Sequence, residues 1–185
     1  MMKKVFFCTA VMLLLLNHVV AQKYIARNGY IGFFSATPME NIEAHNYQAS
    51  SVLDVESGEM VYSVLIKGFE FEKALMQEHF NEKYLESDKY PKSTFKGKIL
   101  NIDELDLSKD GIYDVEVEGD LTIKDVTKHI KVMGTLQRKG DRIIAKTKFP
   151  VRVADYNIHI PAMVKDNIAE VVDVEVKVEY KPYKK

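Results

Sequence analysis

The chain has 185 residues, with 26 Lys and Arg against 27 Asp and Glu, a formal net charge of −1 and one cysteine. Charges of both signs are interspersed, which excludes the clustered basic face of a nucleic-acid binder. A lone cysteine excludes a disulfide-stapled scaffold, so packing and backbone hydrogen bonds must hold the fold.

The opening MMKKVFFCTAVMLLLLNHVVAQ joins Lys3 and Lys4 to an apolar run from Val5 to Leu16, with Val19 and Ala21 at the positions a signal peptidase reads. This pattern predicts a secretory signal peptide over 1–21, cleaved after Ala21, and a periplasmic or secreted mature domain over 22–185. The run is short for a membrane span. Cys8 lies inside it, not at its end as a lipoprotein anchor would require. The mature part, about 164 residues, is one domain with a sizeable core. It has no thiol, and losing Lys3 and Lys4 takes its charge to about −3.

Period-two alternation dominates the mature part and predicts about eight strands, near residues 24–35, 41–56, 60–70, 93–106, 112–124, 128–138, 141–154 and 168–180. In EVVDVEVKVEY, Val172, Val174, Val176, Val178 and Tyr180 share one face, and Asp173, Glu175, Lys177 and Glu179 the other. Successive strand residues point to opposite sides, so one face is buried and one wet. Turns are expected at Ser57-Gly58-Glu59, Lys109-Asp110-Gly111, Asp125-Val126-Thr127 and Lys139-Gly140-Asp141. Long sequential antiparallel strands hide their edges best by closing on themselves. An eight-stranded barrel leaves room for side chains or one slim ligand; a filled two-sheet sandwich is the alternative.

One segment breaks the pattern. Residues 72–87 read as a short helix in which Met76, Phe80 and Tyr84 form one stripe at i, i+4 and i+8. Leu75 and Leu85 fall elsewhere on the wheel. Pro91 stops the helix and opens the next strand.

Catalytic patterns are scarce. His45, His79, His129 and His159 share no metal-ligand spacing. Glu78, His79 and Glu82 cluster on the helix, where ordinary ion pairing on a solvated face explains them. Asp103, Glu104 and Asp106 are carboxylates that a glycosidase could pair across a cleft, but they fall at a strand end, where a turn explains them. No nucleophile elbow or phosphate loop is present. The sequence therefore predicts neither an enzyme nor a metal or cofactor site.

FNEKYLESDKYPKSTFKGKI followed by VEGDLTIKDVTKHIKVMGTL resembles the YceI-like family of exported bacterial lipid- and polyisoprenoid-binding proteins. The matching residues are Tyr90, Pro91 and Phe95 at the start of one strand, and Gly119, Leu121, Thr122, Ile123 and Thr127 in the following hairpin. The resemblance spans about residues 24–180 and departs in the first strand, which lacks the histidine–serine pair of many members, and at Asp125, where many have glycine. It implies an all-β, lipocalin-like, extended eight-stranded antiparallel barrel with a short α-helix beside or capping it, and a long apolar chain in its tunnel. Carriage or sequestration of a polyisoprenoid, isoprenoid quinone or fatty-acyl lipid is the implied function; a scaffold domain with a filled core is the alternative. Transient membrane contact and a homodimer are compatible with this reading.

The apolar strand faces then nominate lining residues. They are Phe33 in the first strand, Tyr62, Val64 and Phe69 in the third, Phe80 and Tyr84 in the helix, and Phe95 in the next strand. Leu121, Ile123, Val132 and Phe149 lie in the later strands, and Met163 precedes the last.

Overall fold

The computed structural model describes residues 23–183, so the expected leader and its cleavage position lie outside the described residues. Among the described residues nine strands form: β1 (Lys23–Ala36), β2 (Asn41–Asp54), β3 (Glu59–Leu65), β4 (Glu70–Phe71), β5 (Lys92–Ile99), β6 (Gly111–Ile123), β7 (Val126–Lys139), β8 (Arg142–Arg152) and β9 (Val171–Pro182). Each of the eight long strands pairs antiparallel with the next long strand, and β9 returns to pair with β1. The result is a closed eight-stranded antiparallel barrel; β4 only extends one edge of β2 at Ala44 and His45. The sandwich alternative is not formed.

Up-and-down order sends the connections 55–58, 100–110 and 140–141 to one end. The connections 37–40, 66–91, 124–125 and 153–170 go to the other. The first end is plugged. Tyr24, Leu53, Ile99, Leu136, Ile143, Val178 and Tyr180 are buried there in one cluster. Each such side chain contributes about 1.5–3 kcal/mol of burial, so this plug is the main core. The second end is covered by connections and a helix over separate apolar clusters.

Several expected boundaries shift, two of them for a local reason that side-chain bonds supply. The third strand stops at Leu65, not at 70, because Ile66–Gly68 turns into a 3-10 helix. The buried Asn46 side chain takes over there, donating to the Leu65 carbonyl at 2.9 Å. The strand expected to reach 106 stops at Ile99. The Asn101 side chain donates to the Asp114 carbonyl and accepts from the Glu116 N–H, both at 3.1 Å, in place of further ladder bonds. The hairpin after β6 turns at Lys124-Asp125, one residue earlier than expected, with Ile123 opposite Val126. The last strand begins at Val171, not 168.

The helix also differs. Residues Ala74–His79 (α1) are α-helical, and Phe80–Tyr84 form a π-helical turn in which the Leu85 N–H bonds the Phe80 carbonyl at 2.9 Å. The Asn81 amide donates to the Gln77 carbonyl, the acceptor an ordinary α-turn would offer to the backbone. The wider i+5 register brings Leu85, off the stripe on an ideal wheel, to the same side as Phe80.

Candidate ligand-binding cavity

Inside the barrel, above the plug, lies a cavity of about 480 Å³. Drug-sized ligands occupy pockets of about 300–1,000 Å³. The wall is built by strand alternation: on β6, Val115, Val117, Leu121 and Ile123 face in, and on β9, Val172, Val174 and Val176 do so. From Val115 to Ile123 the wall extends about 26 Å along the strand, at 3.3 Å per residue. The connections at the second end add Ile158, Ile160, Val164 and Ile168, and the helix adds Met76, Phe80 and Tyr84. Polar groups among the wall residues at that end include Glu40, His79 and Asn167, which mark a mouth.

Eleven of the twelve nominated residues stand in this wall: Phe33, Tyr62, Val64, Phe69, Phe80, Tyr84, Phe95, Leu121, Ile123, Val132 and Phe149. Most of them keep some accessible surface although their strand face is the inner one, because that surface borders the void. Met163 is a correction. It is 95% exposed, in the 3-10 turn Ala162–Val164, and it is the neighbouring Val164 that reaches the wall. No strand alternation operates in that connection to decide which of the two faces inward.

Phe80 is the centre of an aromatic cluster. Its ring centroid lies 5.4 Å from Phe33, 5.5 Å from Phe69 and 5.0 Å from Phe71. These rings come from β1, the segment after β3, β4 and the π-turn, so one cluster ties the helix to the barrel. It fills the place where β3 is too short to pair with the upper half of β2, since β3 meets β2 only from Ser50 to Leu53. A sheet protein carries one helix here because the ladder is interrupted and the apolar interior needs a cover.

A second split lies between β7 and β8, which pair only from Gly134 to Lys139. Pro150, lacking an N–H, sits in the part of β8 that pairs with β9 alone. The free length of β7 carries Lys128 and Lys131, whose charges discourage a further strand from adding there.

Paired glycines shape the opposite wall. Gly97 on β5 faces Gly119 on β6. A Cβ on Gly119 would come within 2.8 Å of the Phe95 ring and 2.4 Å of the Lys96 carbonyl oxygen. Only hydrogen at these positions lets the Phe95 ring lie flat along the wall toward Tyr62, at 6.3 Å between centroids.

Two polar groupings border the cavity. At the second end, Lys124, whose side chain is only 8% exposed, holds Glu86 at 2.5 Å and donates to the Asn157 carbonyl at 3.2 Å. The hydrogen bond from Lys124 lowers the Glu86 carboxyl below its ordinary pKa. Glu86, Lys124 and Asn157 are the three non-glycine residues with positive φ among those described, at 47°, 54° and 54°. Such backbone costs about 1–2 kcal/mol per residue, and here three strained turns converge on one clamp. Each is the chain neighbour of a wall residue: Leu85, Ile123 and Ile158. At the floor, the Tyr62, Tyr180 and Ser51 hydroxyls form a chain, with 2.8 Å between the phenols and 2.6 Å from Tyr180 to Ser51. Burial raises the pKa of Tyr62, and raises that of Tyr180 well above the ordinary value, so both are neutral near pH 7.

The acidic and helix clusters do not join this site as reactive groups. Asp103 and Glu104 lie in the 3-10 turn Ile102–Glu104 at the plugged end, with Asp106 just after it. Hydrogen bonds from Lys109 and Ser108 lower Asp106 to about 2, an N–H and O–H turn motif, not a raised-pKa general acid. Glu78 and Glu82 are exposed on the helix while His79 borders the mouth. Among the described residues, no three His, Cys, Asp or Glu side chains converge on a metal position.

A model of the YceI-like domain matches residues 26–180, nearly the whole described barrel. The chain belongs to the YceI-like family. Solved structures share this YceI-like fold at low identity. A polyisoprenoid binding domain from Saccharophagus degradans, implicated in plant cell wall breakdown, superposes with a TM-score of 0.76 at 16% identity, over 88% of this chain and 99% of that one. BcnA of Burkholderia cenocepacia gives 0.68 at 16% identity, over 82% and 95%. A YceI protein of Campylobacter jejuni gives 0.55 at 18% identity, over 77% and 85%. No curated protein matches significantly in sequence. Wall residues missed by sequence reasoning include two kinds beside Leu85 at the π-turn. Val172, Val174 and Val176 lie on a face that alternation had already marked, whereas Ile158, Ile160, Val164 and Ile168 sit in a connection without periodicity.

Proposed function

We propose that this YceI-like barrel is an exported carrier that sequesters one long apolar molecule, a polyisoprenoid, isoprenoid quinone or fatty-acyl lipid, without covalent chemistry. The observation that carries the reading is the closed barrel's cavity, walled by aliphatic and aromatic side chains and plugged at one end. With about 30 Å³ for a water-sized group, 480 Å³ admits roughly 16 methylenes. At about 0.8 kcal/mol each, their transfer from water is worth about 13 kcal/mol before ordering and association costs. The polyisoprenoid-binding relative supports the class of ligand by analogy of fold. The N-terminal leader pattern supports export.

Loading and delivery involve transient contact with a membrane. Met39, Leu75 and Met163 are exposed large apolar residues, and each adjoins a mouth residue, Glu40, Met76 or Val164. The test is transfer of a fluorescent polyisoprenoid from phospholipid vesicles to the purified mature domain. Saturable uptake of one molecule per chain is expected, and serine at Met39 and Met163 should slow transfer without changing its end point. Absence of uptake would overturn the carrier reading; an unchanged rate in the serine variant would overturn the membrane contact.

A further inference from the structure

We propose that the cavity has a side window between β7 and β8, just above the plug, through which the far end of a chain too long for the barrel leaves. The ligand class then extends to chains well beyond the cavity's own capacity. This deepens the carrier reading and rests on it. Room for roughly 16 methylenes equals about three prenyl units, and a longer polyisoprenoid must put the remainder somewhere.

The window follows from where the β7–β8 ladder ends. Its last register pair is Gly134 with Thr147. The Thr147 hydroxyl donates to the Met133 carbonyl at 2.7 Å, a single side-chain bond past that pair. Continued register would set Val132 against Phe149 and Ile130 against Val151. These do not pair, and all four border the cavity. Pro150 would face Lys131 in that register with no N–H to give. Higher up, Tyr156 of the 3-10 turn Val153–Tyr156 shares an apolar cluster with Val126 and closes the split from above. The frame is thus a ladder below, a turn above and apolar side chains on both sides.

Two observations bring the interior to the outer surface at this frame. Thr135 and Lys146 lie on the outer strand face, next to the buried Leu136 and Ala145, yet both border the inner cavity. A depression on the outer surface shares Gly134, Thr135, Lys146, Thr147 and Val176 with that cavity. The height suits the far end of a chain. Gly134 pairs with Val115 and Thr147 with Val176, the lowest wall residues of β6 and β9, since Val178 already belongs to the plug. A chain whose polar end stays at the mouth, among Glu40, His79 and Asn167, reaches this level once it has filled the barrel. Outside stands Met133, 62% exposed on a strand face that is otherwise polar. Its flexible side chain and the methylene stems of Lys146 and Lys148 offer apolar surface to an emerging chain.

The test is a length series of unbranched fatty acids, from dodecanoic to tetracosanoic acid. Each competes with a bound fluorescent fatty-acyl probe on the ligand-stripped mature domain, with affinity referred to the free monomeric acid. Affinity should rise by up to about fourfold per methylene until the barrel is filled, at about 16 carbons, and stay level from there to tetracosanoic acid. The preferred length is then the shortest chain that fills the barrel. Residues 22–185 contain no cysteine, so Met133→Cys supplies a single thiol at the outer lip. A bulky maleimide adduct on it should leave tetradecanoic acid unaffected and weaken tetracosanoic acid by about tenfold or more. The same adduct on Val61→Cys, on the outer face of β3 and three strands from β7, should weaken neither. A nitroxide at the far end of tetracosanoic acid should quench bimane on the Met133→Cys variant and spare bimane on the Val61→Cys variant. Affinity that falls beyond the filling length, or a nitroxide that spares the label at position 133, would overturn the window while leaving the carrier reading standing. Failure of every acid and of the probe to bind would overturn both.

Discussion

Replacing Phe80 by alanine separates the two jobs assigned to the helix, tying the interrupted wall together and limiting the cavity. Removing a buried phenylalanine ring from a core costs about 3–5 kcal/mol. Phe80 leaves part of its surface on the void, so its loss should cost less, about 2–3 kcal/mol. For a domain of this size that lowers Tm by roughly 5–10 °C. The vacated ring adds room on the order of three water-sized groups to the cavity. Three more methylenes at about 0.8 kcal/mol each amount to roughly 2.4 kcal/mol of gross transfer energy. The preferred acyl or prenyl chain should therefore lengthen by about three carbons, read by competition along a homologous series, while thermal unfolding of the ligand-free domain reports the stability loss. Unchanged Tm together with an unchanged length optimum would refute the placement of Phe80 at the meeting point of Phe33, Phe69 and Phe71.

Three further outcomes test other parts of the barrel. Lys124→Met should lower Tm at neutral pH, because it leaves Glu86 and the Asn157 carbonyl without their shared donor. Since the Glu86 pKa is depressed in the folded state, the clamp's contribution is present above the ordinary carboxylate pKa and is lost as pH falls through the folded value; the Tm gap between variant and parent should close in acid. Gly119→Ala should drive the Phe95 ring off the wall and destabilise by about 1–3 kcal/mol through overpacking, seen in urea unfolding; a neutral effect would contradict the close approach at Gly119. Asp106 should titrate near 2 by carbon-detected NMR and move up toward 3.8, its ordinary value, in Lys109→Ala; no movement would remove Lys109 as the leading cause.

The barrel was legible because one physical rule, alternation with one wet face, governs most of the chain. Val172 to Tyr180 shows it: the same inward face that supplies the cavity wall at Val172, Val174 and Val176 supplies the plug at Val178 and Tyr180. Alternation does not say where a wall becomes a floor, because that depends on what reaches across the barrel, so the Ser51–Tyr180–Tyr62 chain was invisible. The stripe of Met76, Phe80 and Tyr84 was correct in direction, yet Leu85 was missed because a π-turn changes the period that a helical wheel assumes. Met163 failed for lack of any period at all; in a connection, apolar character does not fix direction, and its neighbour Val164 turned inward instead. The early ends of β3 and β5 are set by Asn46 and Asn101, side chains that bond backbone groups far along the chain, and nothing local signals such partners.

Native mass spectrometry of the mature domain as purified, paired with organic extraction, tests most directly whether this barrel carries a long apolar molecule. A discrete added mass that reappears in the extract as one long-chain apolar compound is the expected result. A bare chain that also takes up neither polyisoprenoids nor fatty acids when these are offered would contradict it, and the cavity would then have no cargo.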